Sequence, residues 1–391
     1  MKWEKVKLGD CCTKIGSGST PKGGSTVYID EGVALIRSQN VYNLSFDYSG
    51  LVFINSEAAE KLNGVKIEPN DILLNITGDS VARTCLVPIE VIPARVNQHV
   101  SIIRPRKNVL DATFLSYYLA SPFMQSFMLG LAVGKGTSRN AMTKDMISNF
   151  EIPCPAMAIQ KKIASILKSY DDLIENNQKH IKLLEEAAQR LYKEWFVDLR
   201  FPGHEGVKVV DGVPEGWKKE KLIELAELKA GGDKPKIFSK IKSNICKVPI
   251  FSNGLENEGL FGYTDKADIG QESITISARG NVGYTCLRRE PYLAIVRLIC
   301  VIPRKMHIST YLYFYLKHTN YNSNGSAQQQ LTIPMIKNTV VCVPDENMLS
   351  DFDDKARCYF DLVDALKSKI SSLREARDRL LPKLMSGEIE V

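Results

Sequence analysis

The sequence predicts a mixed α/β protein with two globular domains, related by an internal repeat and separated by two long helices that form an antiparallel coiled coil. Two observations predict this architecture. The second half of the chain repeats residues of the first half in the same order, and two segments carry apolar residues alternately three and four positions apart over about five heptads. The expected boundaries are 1–156 and 205–345 for the globular domains, 157–204 for the central helix and 346–391 for the C-terminal helix.

The internal repeat rests on matches of uncommon residues at a constant spacing. Near the start the spacing is 214, and it falls to 201 for the Thr-Cys-Leu triplet at 84–86 and to 189 from Thr143 onwards, as deletions in loops would cause. The chain has only three tryptophans, and two of them match, so chance is a poor explanation. The matches at a spacing of 214 include Trp3 with Trp217, Gly18 with Gly232, Pro21 with Pro235, Lys22 with Lys236 and Ser38 with Ser252.

Each globular half is expected to contain a curved sheet with accompanying helices. Short β-branched runs, such as residues 32–41 and 71–77, are interrupted by glycine, asparagine, aspartate and proline. This alternation of strand formers with turn formers is typical of a mixed α/β domain.

The two long helices follow from coiled-coil spacing between Ile159 and Trp195 and between Leu349 and Leu384. At ~1.5 Å per residue each helix spans roughly 55 to 60 Å and needs a partner of similar length. A globular domain lies between them in sequence, so the chain can return and pair them antiparallel. Asn177 and Arg377 interrupt the apolar positions. Register control or solvation of these polar groups is one interpretation, and binding of another subunit is the alternative.

Two residues near the C-terminus predict where the second helix stops. Pro382 should kink or end it, because proline lacks the amide hydrogen that a helix interior needs. Gly387 should end the turn that follows, since glycine adopts the left-handed conformation common after a helix.

Composition excludes a fibrous or disordered chain, since 44% of the 391 residues are hydrophobic. No stretch reaches the ~20 apolar residues of a membrane span, and the N-terminus lacks the apolar core of a signal peptide, so a cytoplasmic location without membrane contact is expected. The nine cysteines should then be free thiols. The net charge of +6 permits nucleic-acid binding but does not by itself indicate it.

Catalytic motifs are missing from the sequence. A methyltransferase should show a glycine-rich S-adenosylmethionine loop and an Asn/Asp-Pro-Pro-aromatic motif beside the flipped base. An ATPase should show a G-x4-G-K-[ST] loop, and residues 16–24 have glycines and a lysine at the wrong spacing. The five histidines have no metal-ligand spacing. We therefore expect no catalytic centre, no bound cofactor and no metal.

Several segments resemble a known family. Residues 183–203, 211–217 and 373–391 resemble the spacer-helix regions of specificity subunits of type I restriction-modification systems, and residues 70–80 and 96–105 resemble their first target-recognition domain. The second copy departs from that pattern at 276–283, which leaves the recognised DNA sequence open.

The resemblance implies a non-catalytic subunit that reads a bipartite site in double-stranded DNA, one half with each target-recognition domain. It also implies as partners two methyltransferase subunits and, in some members, restriction (motor-nuclease) subunits. S-adenosylmethionine, ATP and Mg would belong to those partners. Two alternatives stay open: a self-contained DNA methyltransferase or nuclease, which would bind S-adenosylmethionine or metal, and a coiled-coil scaffold, which would show no salt-dependent DNA binding.

Candidate DNA-contacting residues follow from the chemistry of base and phosphate recognition. Arginine or lysine suits guanine, asparagine or glutamine suits adenine, and lysine, serine and threonine suit phosphates. A solvated loop side chain is the plain alternative for each member. The candidates in the first domain are Lys22, Arg37, Gln39, Asn40, Arg83, Lys135, Ser138 and Arg139. Those in the second domain are Lys236, Ser252, Asn253, Arg279, Asn281, Gln328 and Gln329.

Overall fold

A computed structural model describes residues 3–133, 141–321 and 330–391. The chain forms two compact units, the first made of residues 1–177 and 368–391 and the second of residues 178–367. Each unit therefore contains one globular region and a part of each long helix. The predicted fold class, a duplicated mixed α/β protein with two long helices, is confirmed.

The first unit contains two four-stranded sheets. One has the antiparallel order β2-β11-β8-β9, and the other has the order β10-β4-β7-β3, in which β4 and β10 run parallel. Two pairs, β1 with β12 and β5 with β6, complete the strands. The strands are β1 (Lys5–Lys7), β2 (Cys12–Ser17), β3 (Tyr28–Ile29), β4 (Val33–Ile36), β5 (Val41–Tyr42), β6 (Ser45–Phe46), β7 (Val52–Ile54), β8 (Ile72–Asn75), β9 (Thr84–Leu86), β10 (Ala94–Val96), β11 (Val100–Pro105) and β12 (Glu151–Pro153).

Helices cover the sheet formed by β2, β11, β8 and β9. Asp111 caps the second helix by accepting a 2.9 Å hydrogen bond from the Phe114 amide, and Ser121 caps the third, which has Pro122 in its first turn. Phe114 is buried in the same core as Ile72. The helices are α1 (Ser56–Lys61), α2 (Ala112–Ala120), α3 (Pro122–Ala132), α4 (Lys144–Ser148) and the long α5 (Met157–Tyr192).

The second unit repeats this topology. Its four-stranded sheet has the order β16-β22-β19-β20, and a three-stranded sheet has the order β18-β17-β21 with β17 and β21 parallel. The strands are β13 (Val209–Val210), β14 (Val213–Pro214), β15 (Lys218–Lys221), β16 (Ala226–Ala230), β17 (Val248–Phe251), β18 (Leu260–Thr264), β19 (Ser273–Ile276), β20 (Thr285–Arg288), β21 (Leu293–Ala294), β22 (Ile299–Pro303) and β23 (Val340–Val343). The helices are α6 (Leu222–Leu225), α7 (Ser309–His318), α8 (Ile333–Ile336) and the long α9 (Glu346–Ser386).

Hydrogen bonds refine the register of the repeat. The amide of Gly18 donates to the Val100 carbonyl at 2.9 Å, and the equivalent bond in the second unit runs from Gly231 to Leu298 at 2.7 Å. Gly231, rather than Gly232, therefore occupies the place of Gly18. The spacing of 214 is out by one here because β2 contains a β-bulge opposite Arg104 and Pro105 and is one residue longer than β16, which pairs without a bulge.

The long helices pair antiparallel within each unit. In the first unit Ile163 and Leu167 of α5 share a core with Leu384 of α9. In the second unit Ala188 of α5 shares a core with Phe352 of α9. Early residues of one helix thus meet late residues of the other, as predicted.

The C-terminal end of α9 corrects one expectation and supports another. Of the two effects expected of Pro382, a kink or an end, the end does not occur, because the helix continues through Pro382 to Ser386. Gly387 follows with φ of +73°, the left-handed conformation expected of a residue that ends a helix.

Candidate nucleic-acid interface

Four loops meet in the first unit where four strands end, and we call them the first loop cluster. The amide of Ser19 donates to the Val96 carbonyl, that of Asn97 to Ile36 and that of Ile76 to His99, each at 3.0 Å. These bonds join loops that are far apart in sequence. The loops are 18–19 after β2, 37–40 after β4, 76–83 after β8 and 97–99 after β10.

Glycine is required where the first of these loops approaches the last. A Cβ atom at Gly18 would lie 2.1 Å from the carbonyl oxygen of Val96 and 2.2 Å from that of Asn97. No side chain fits at such distances, so the close contact between the loops depends on Gly18.

The candidates after β4 divide into surface and structural residues. Asn40 is 0% exposed: its side-chain oxygen accepts from the Arg37 amide at 3.0 Å, and its side-chain nitrogen donates to the Asp47 carbonyl at 2.9 Å. Contact of Asn40 with a base would have to break these bonds. Gln39 is exposed, and the half-buried Arg37 donates to the Gly50 carbonyl, with its guanidinium 5.7 Å from the centre of the Tyr28 ring.

Arg83 ends the loop after β8 and lies over an aromatic ring. Its guanidinium carbon is 4.5 Å from the centre of the Tyr42 ring, a cation–π contact that orients the side chain. The side chain of Asn75 donates to the Ser38 carbonyl at 2.8 Å and so joins the Arg83 loop to the Arg37 loop. The structure therefore brings Arg37, Gln39 and Arg83 into one cluster.

The equivalent strand ends form a second loop cluster in the second unit. The amide of Gly232 donates to the Ala294 carbonyl at 3.0 Å, and that of Ile295 to Phe251 at 2.9 Å. The side chain of Asn253 bridges two loops, because it accepts from the Ala278 amide at 3.0 Å and donates to the Val296 carbonyl. The loops are 231–232 after β16, 252–253 after β17, 277–284 after β19 and 295–297 after β21.

The candidates in the second cluster also differ in accessibility. Arg279 and Asn281 are exposed on either side of Gly280, which has φ of +71°, and Arg279 donates to the side chain of Gln330. Ser252 is half-buried, with its hydroxyl 3.5 Å from the Gly259 carbonyl, and Asn253 is occupied by the bonds described above.

The remaining candidates lie beside the clusters or outside the described residues. Lys22 and Lys236 are exposed in the segments that follow β2 and β16. Lys135, Ser138, Arg139, Gln328 and Gln329 fall outside the described ranges. DNA contact by all fifteen candidates stays a prediction.

Sequence reasoning missed two features of the second unit. Arg297 is exposed in the turn after β21, where both it and Val296 have positive φ. Its position follows the strand equivalent to β10, so the repeat could have identified it as the counterpart of the 97–99 loop. The second feature is a group of four further lysines around Lys236 in the loop between β16 and β17. The closely spaced lysines in the sequence could have identified this positively charged loop.

A largely buried ion pair attaches a sheet of the second unit to α9. In the second unit Arg357 of α9 donates two hydrogen bonds to Glu272, at 3.0 and 2.8 Å, and a third to Asp353 at 2.6 Å. Glu272 immediately precedes β19, the strand that ends in the Arg279 loop. The bidentate pair therefore fixes the start of that strand on the helix.

The first unit has a corresponding polar contact between α2, α5 and α9. Asp171 accepts hydrogen bonds from Arg377 and from the Tyr117 hydroxyl. Burial and the bond to Asp171 raise the pKa of Tyr117 well above its usual range. Arg377 thus interrupts the apolar positions of α9 as part of an internal ion pair, which is consistent with register control.

The described residues contain neither a metal-binding cluster nor a membrane-spanning helix. Within 3–133, 141–321 and 330–391, no three histidine, cysteine, aspartate or glutamate side chains are grouped so as to hold a metal ion. Of the helices in those ranges, none has the length and apolar character needed to cross a membrane.

Comparison with known proteins identifies relatives over the whole chain. The family model for the type I restriction modification DNA specificity domain matches residues 1–186 and 214–354. The chain is 26% identical over 412 residues to the type I restriction enzyme MjaIX specificity subunit of Methanocaldococcus jannaschii, covering 100% of this chain and 94% of that protein. It is 30% identical over 250 residues to the putative type I specificity subunit S.MpnORF507P of Mycoplasma pneumoniae, covering 63% of this chain and 64% of that protein.

The fold also matches a solved structure. The crystal structure of a type I restriction-modification system S subunit from M. genitalium aligns with a TM-score of 0.59 at 18% identity. The alignment covers 98% of this chain and 96% of that one.

Proposed function

This chain belongs to the type I restriction-modification DNA specificity family, and from that premise we propose that it reads a two-part sequence in double-stranded DNA. Each loop cluster reads one half, and the base pairs between the halves are not read. The family model and the curated relatives, which carry the name of type I specificity subunits, support this proposal.

The repetition of the loop cluster is the observation that carries the proposal. Four equivalent strand ends meet in each unit, held together by equivalent hydrogen bonds such as Ser19 to Val96 and Gly232 to Ala294. The residues on the two clusters differ, with Arg37 and Arg83 in one and Arg279 and Arg297 in the other. A shared scaffold with different reading residues suits the recognition of two different half-sites.

We propose that the chain itself is not catalytic and acts through partners. Two methyltransferase subunits and, in an assembly able to cleave DNA, restriction subunits would bind it and be directed to the site. S-adenosylmethionine, ATP and Mg would be bound by those subunits. The missing cofactor motifs in the sequence support this division of labour, and binding of S-adenosylmethionine by the purified chain would contradict it.

Methylome sequencing tests the proposed function directly. The chain would be expressed together with its methyltransferase subunit in a host that lacks other DNA methylation. We expect a split, asymmetric motif with a constant number of unspecified base pairs between its halves. An unsplit motif, or no methylation that depends on this chain, would refute the two-cluster reading.

A further inference from the structure

The loop between β16 and β17 is long and has no helix or strand of its own. It covers residues 231–247, seventeen in all, since β16 ends at Ala230 and β17 begins at Val248. Loops longer than about 12 to 15 residues without secondary structure are uncommon in compact domains and usually serve a function. We call this segment the lysine loop.

The lysine loop carries a net positive charge, and its lysines outnumber its carboxylates five to one. It contains five lysines and a single carboxylate, Asp233, and all five lysines are exposed. None of the five forms a salt bridge with any residue that the structure describes. Other lysines of the same unit are paired: Lys229 with Asp268 at 2.6 Å and Lys367 with Glu258 at 2.5 Å. The lysines of the loop are 234, 236, 240, 242 and 247.

The loop is nevertheless held in place. The backbone of Ser239 pairs with that of Tyr263 at 2.9 and 2.8 Å, and the Thr264 hydroxyl donates to the Ile237 carbonyl at 2.8 Å. These bonds tie the middle of the loop to β18. A charged surface that is fixed before binding loses less conformational entropy when it meets a ligand.

Aromatic rings fix two of the lysines. The rings of Phe238 and Phe261 have centres 5.4 Å apart. The ammonium of Lys234 lies 3.7 Å from the centre of Phe238, and that of Lys240 lies 4.4 Å from the centre of Phe261. Cation–π contacts hold these charges in position without neutralising them.

Exposed isoleucines alternate with the lysines. The side chains of Ile241 and Ile245 are 77% and 73% exposed, and Ile237 is also exposed. Lysine beside an exposed branched apolar side chain suits a DNA groove, where cations meet phosphates and apolar groups meet sugars or bases. The loop also leaves directly from the second loop cluster, because Gly232 is hydrogen-bonded to both Ala294 and Val296.

We propose that the lysine loop binds the phosphodiester backbone of double-stranded DNA beside the half-site read by the second loop cluster. This inference rests on the proposed function. The equivalent segment of the first unit, residues 18–32, has one lysine, Lys22, and two carboxylates, Asp30 and Glu31. The two units therefore bind DNA with unequal electrostatic strength, and the second half-site carries the larger share of the salt-dependent affinity.

Salt-dependent DNA binding tests the inference. The full chain would be titrated onto a fluorescein-labelled 30-base-pair duplex of random sequence between 50 and 300 mM KCl, with anisotropy as the signal. The triple variant K236Q/K242Q/K247Q removes three ammonium groups that form no ion pair or cation–π contact with any residue that the structure describes. The slope of log affinity against log salt is negative, and each lost phosphate contact reduces its steepness by about 0.9, so we expect a slope shallower by about 2.7.

A matched variant controls for net charge. K182Q/K193Q/K305Q also removes three positive charges from the second unit, but each of these lysines is paired with a carboxylate. Its slope should stay within about half a unit of the wild-type slope, which is less than one phosphate contact. The variant I241S/I245S should weaken binding about tenfold with no change of slope, because it removes apolar contacts and no charge.

The outcomes separate the two proposals. Wild-type protein that shows no salt-dependent DNA binding would refute the proposed function itself. If the wild-type protein binds DNA and the two triple variants have equal slopes of log affinity against log salt, the proposed function stands but the proposed role of the lysine loop is refuted. A third outcome would assign the lysine loop to a membrane surface instead of DNA. In that case wild-type protein binds vesicles with 20% phosphatidylserine, and K236Q/K242Q/K247Q loses vesicle binding but keeps DNA binding.

Discussion

Replacing Arg357 by methionine should destabilise the second unit by about 3 kcal/mol. Arg357 is the hydrogen-bond donor that Glu272 and Asp353 share, and the side chains of these carboxylates are only 5% and 8% exposed. Removing one partner of a buried ion pair costs about 3 to 5 kcal/mol, because the remaining charge is left without compensation. The lower end of the range applies, because Arg357 itself is 24% exposed and Arg289 still lies 3.7 Å from the Glu272 carboxylate when Arg357 is removed.

Urea unfolding followed by tryptophan fluorescence measures this loss. Trp195 and Trp217 lie in the second unit and Trp3 in the first, so a Trp3→Phe background makes the signal specific to the second unit. A loss of about 3 kcal/mol corresponds to an unfolding constant about 150 times larger.

Two further variants decide whether the ion pair is responsible. The control Lys305→Met removes a cation of the second unit whose pair with Glu346 of α9 is exposed, and it should cost less than about 0.5 kcal/mol. Adding Glu272→Gln to Arg357→Met should recover at least about 1 kcal/mol, since it removes a buried carboxylate that has lost its bidentate partner. A cost below 1 kcal/mol for Arg357→Met alone would refute the claim that this pair fixes β19 on α9.

Three other predictions follow from the same structure. Gly18→Ala should destabilise the first unit by about 2 kcal/mol because its Cβ would overlap the Val96 carbonyl, whereas Gly16→Ala, with no atom within 4 Å, should be nearly neutral in urea unfolding. Tyr117→Phe should lower the free energy of unfolding by about 1.5 to 2 kcal/mol, because the hydrogen bond to Asp171 is lost. Tyr118→Phe is the control: its hydroxyl is 3.4 Å from the Glu151 carbonyl, and its loss should be less than half as large. Equal losses of stability in the two variants would argue against the Asp171 contact. Burial raises the pKa of Cys12 and Cys85 to about 12 and that of Cys300 to about 11. A thiol reagent at pH 8 should therefore label the exposed Cys358 first. Rapid labelling of several thiols in the native protein would contradict the burial of the other cysteines.

The duplicated architecture could be predicted because its signals are local and repeated. Matched tryptophans, the two Thr-Cys-Leu triplets and the heptad spacing each persist in the structure, with the triplets in the equivalent strands β9 and β20. Coiled-coil spacing predicted the long helices for a similar reason, since a helix buries one stripe of its surface regardless of what lies at its ends.

Side-chain roles inside the loops could not be predicted in the same way. Asn40 and Asn253 have the residue type that reads adenine, yet each uses its amide to hold neighbouring loops together. Which partner an amide finds depends on tertiary contacts that sequence spacing does not encode. The same holds for Arg377, whose partner Asp171 is 206 residues away.

Exchange of one domain tests whether each unit reads one half-site of the DNA. Residues 205–345 would be replaced by the aligned segment of a family member whose methylation motif is known, and the methylome of a host expressing the hybrid with the methyltransferase subunit would be sequenced. We expect one half of the split motif to change to that of the donor, while the other half stays as in the wild type. A motif that changes in both halves, or in neither, would contradict the reading of one half-site by each unit.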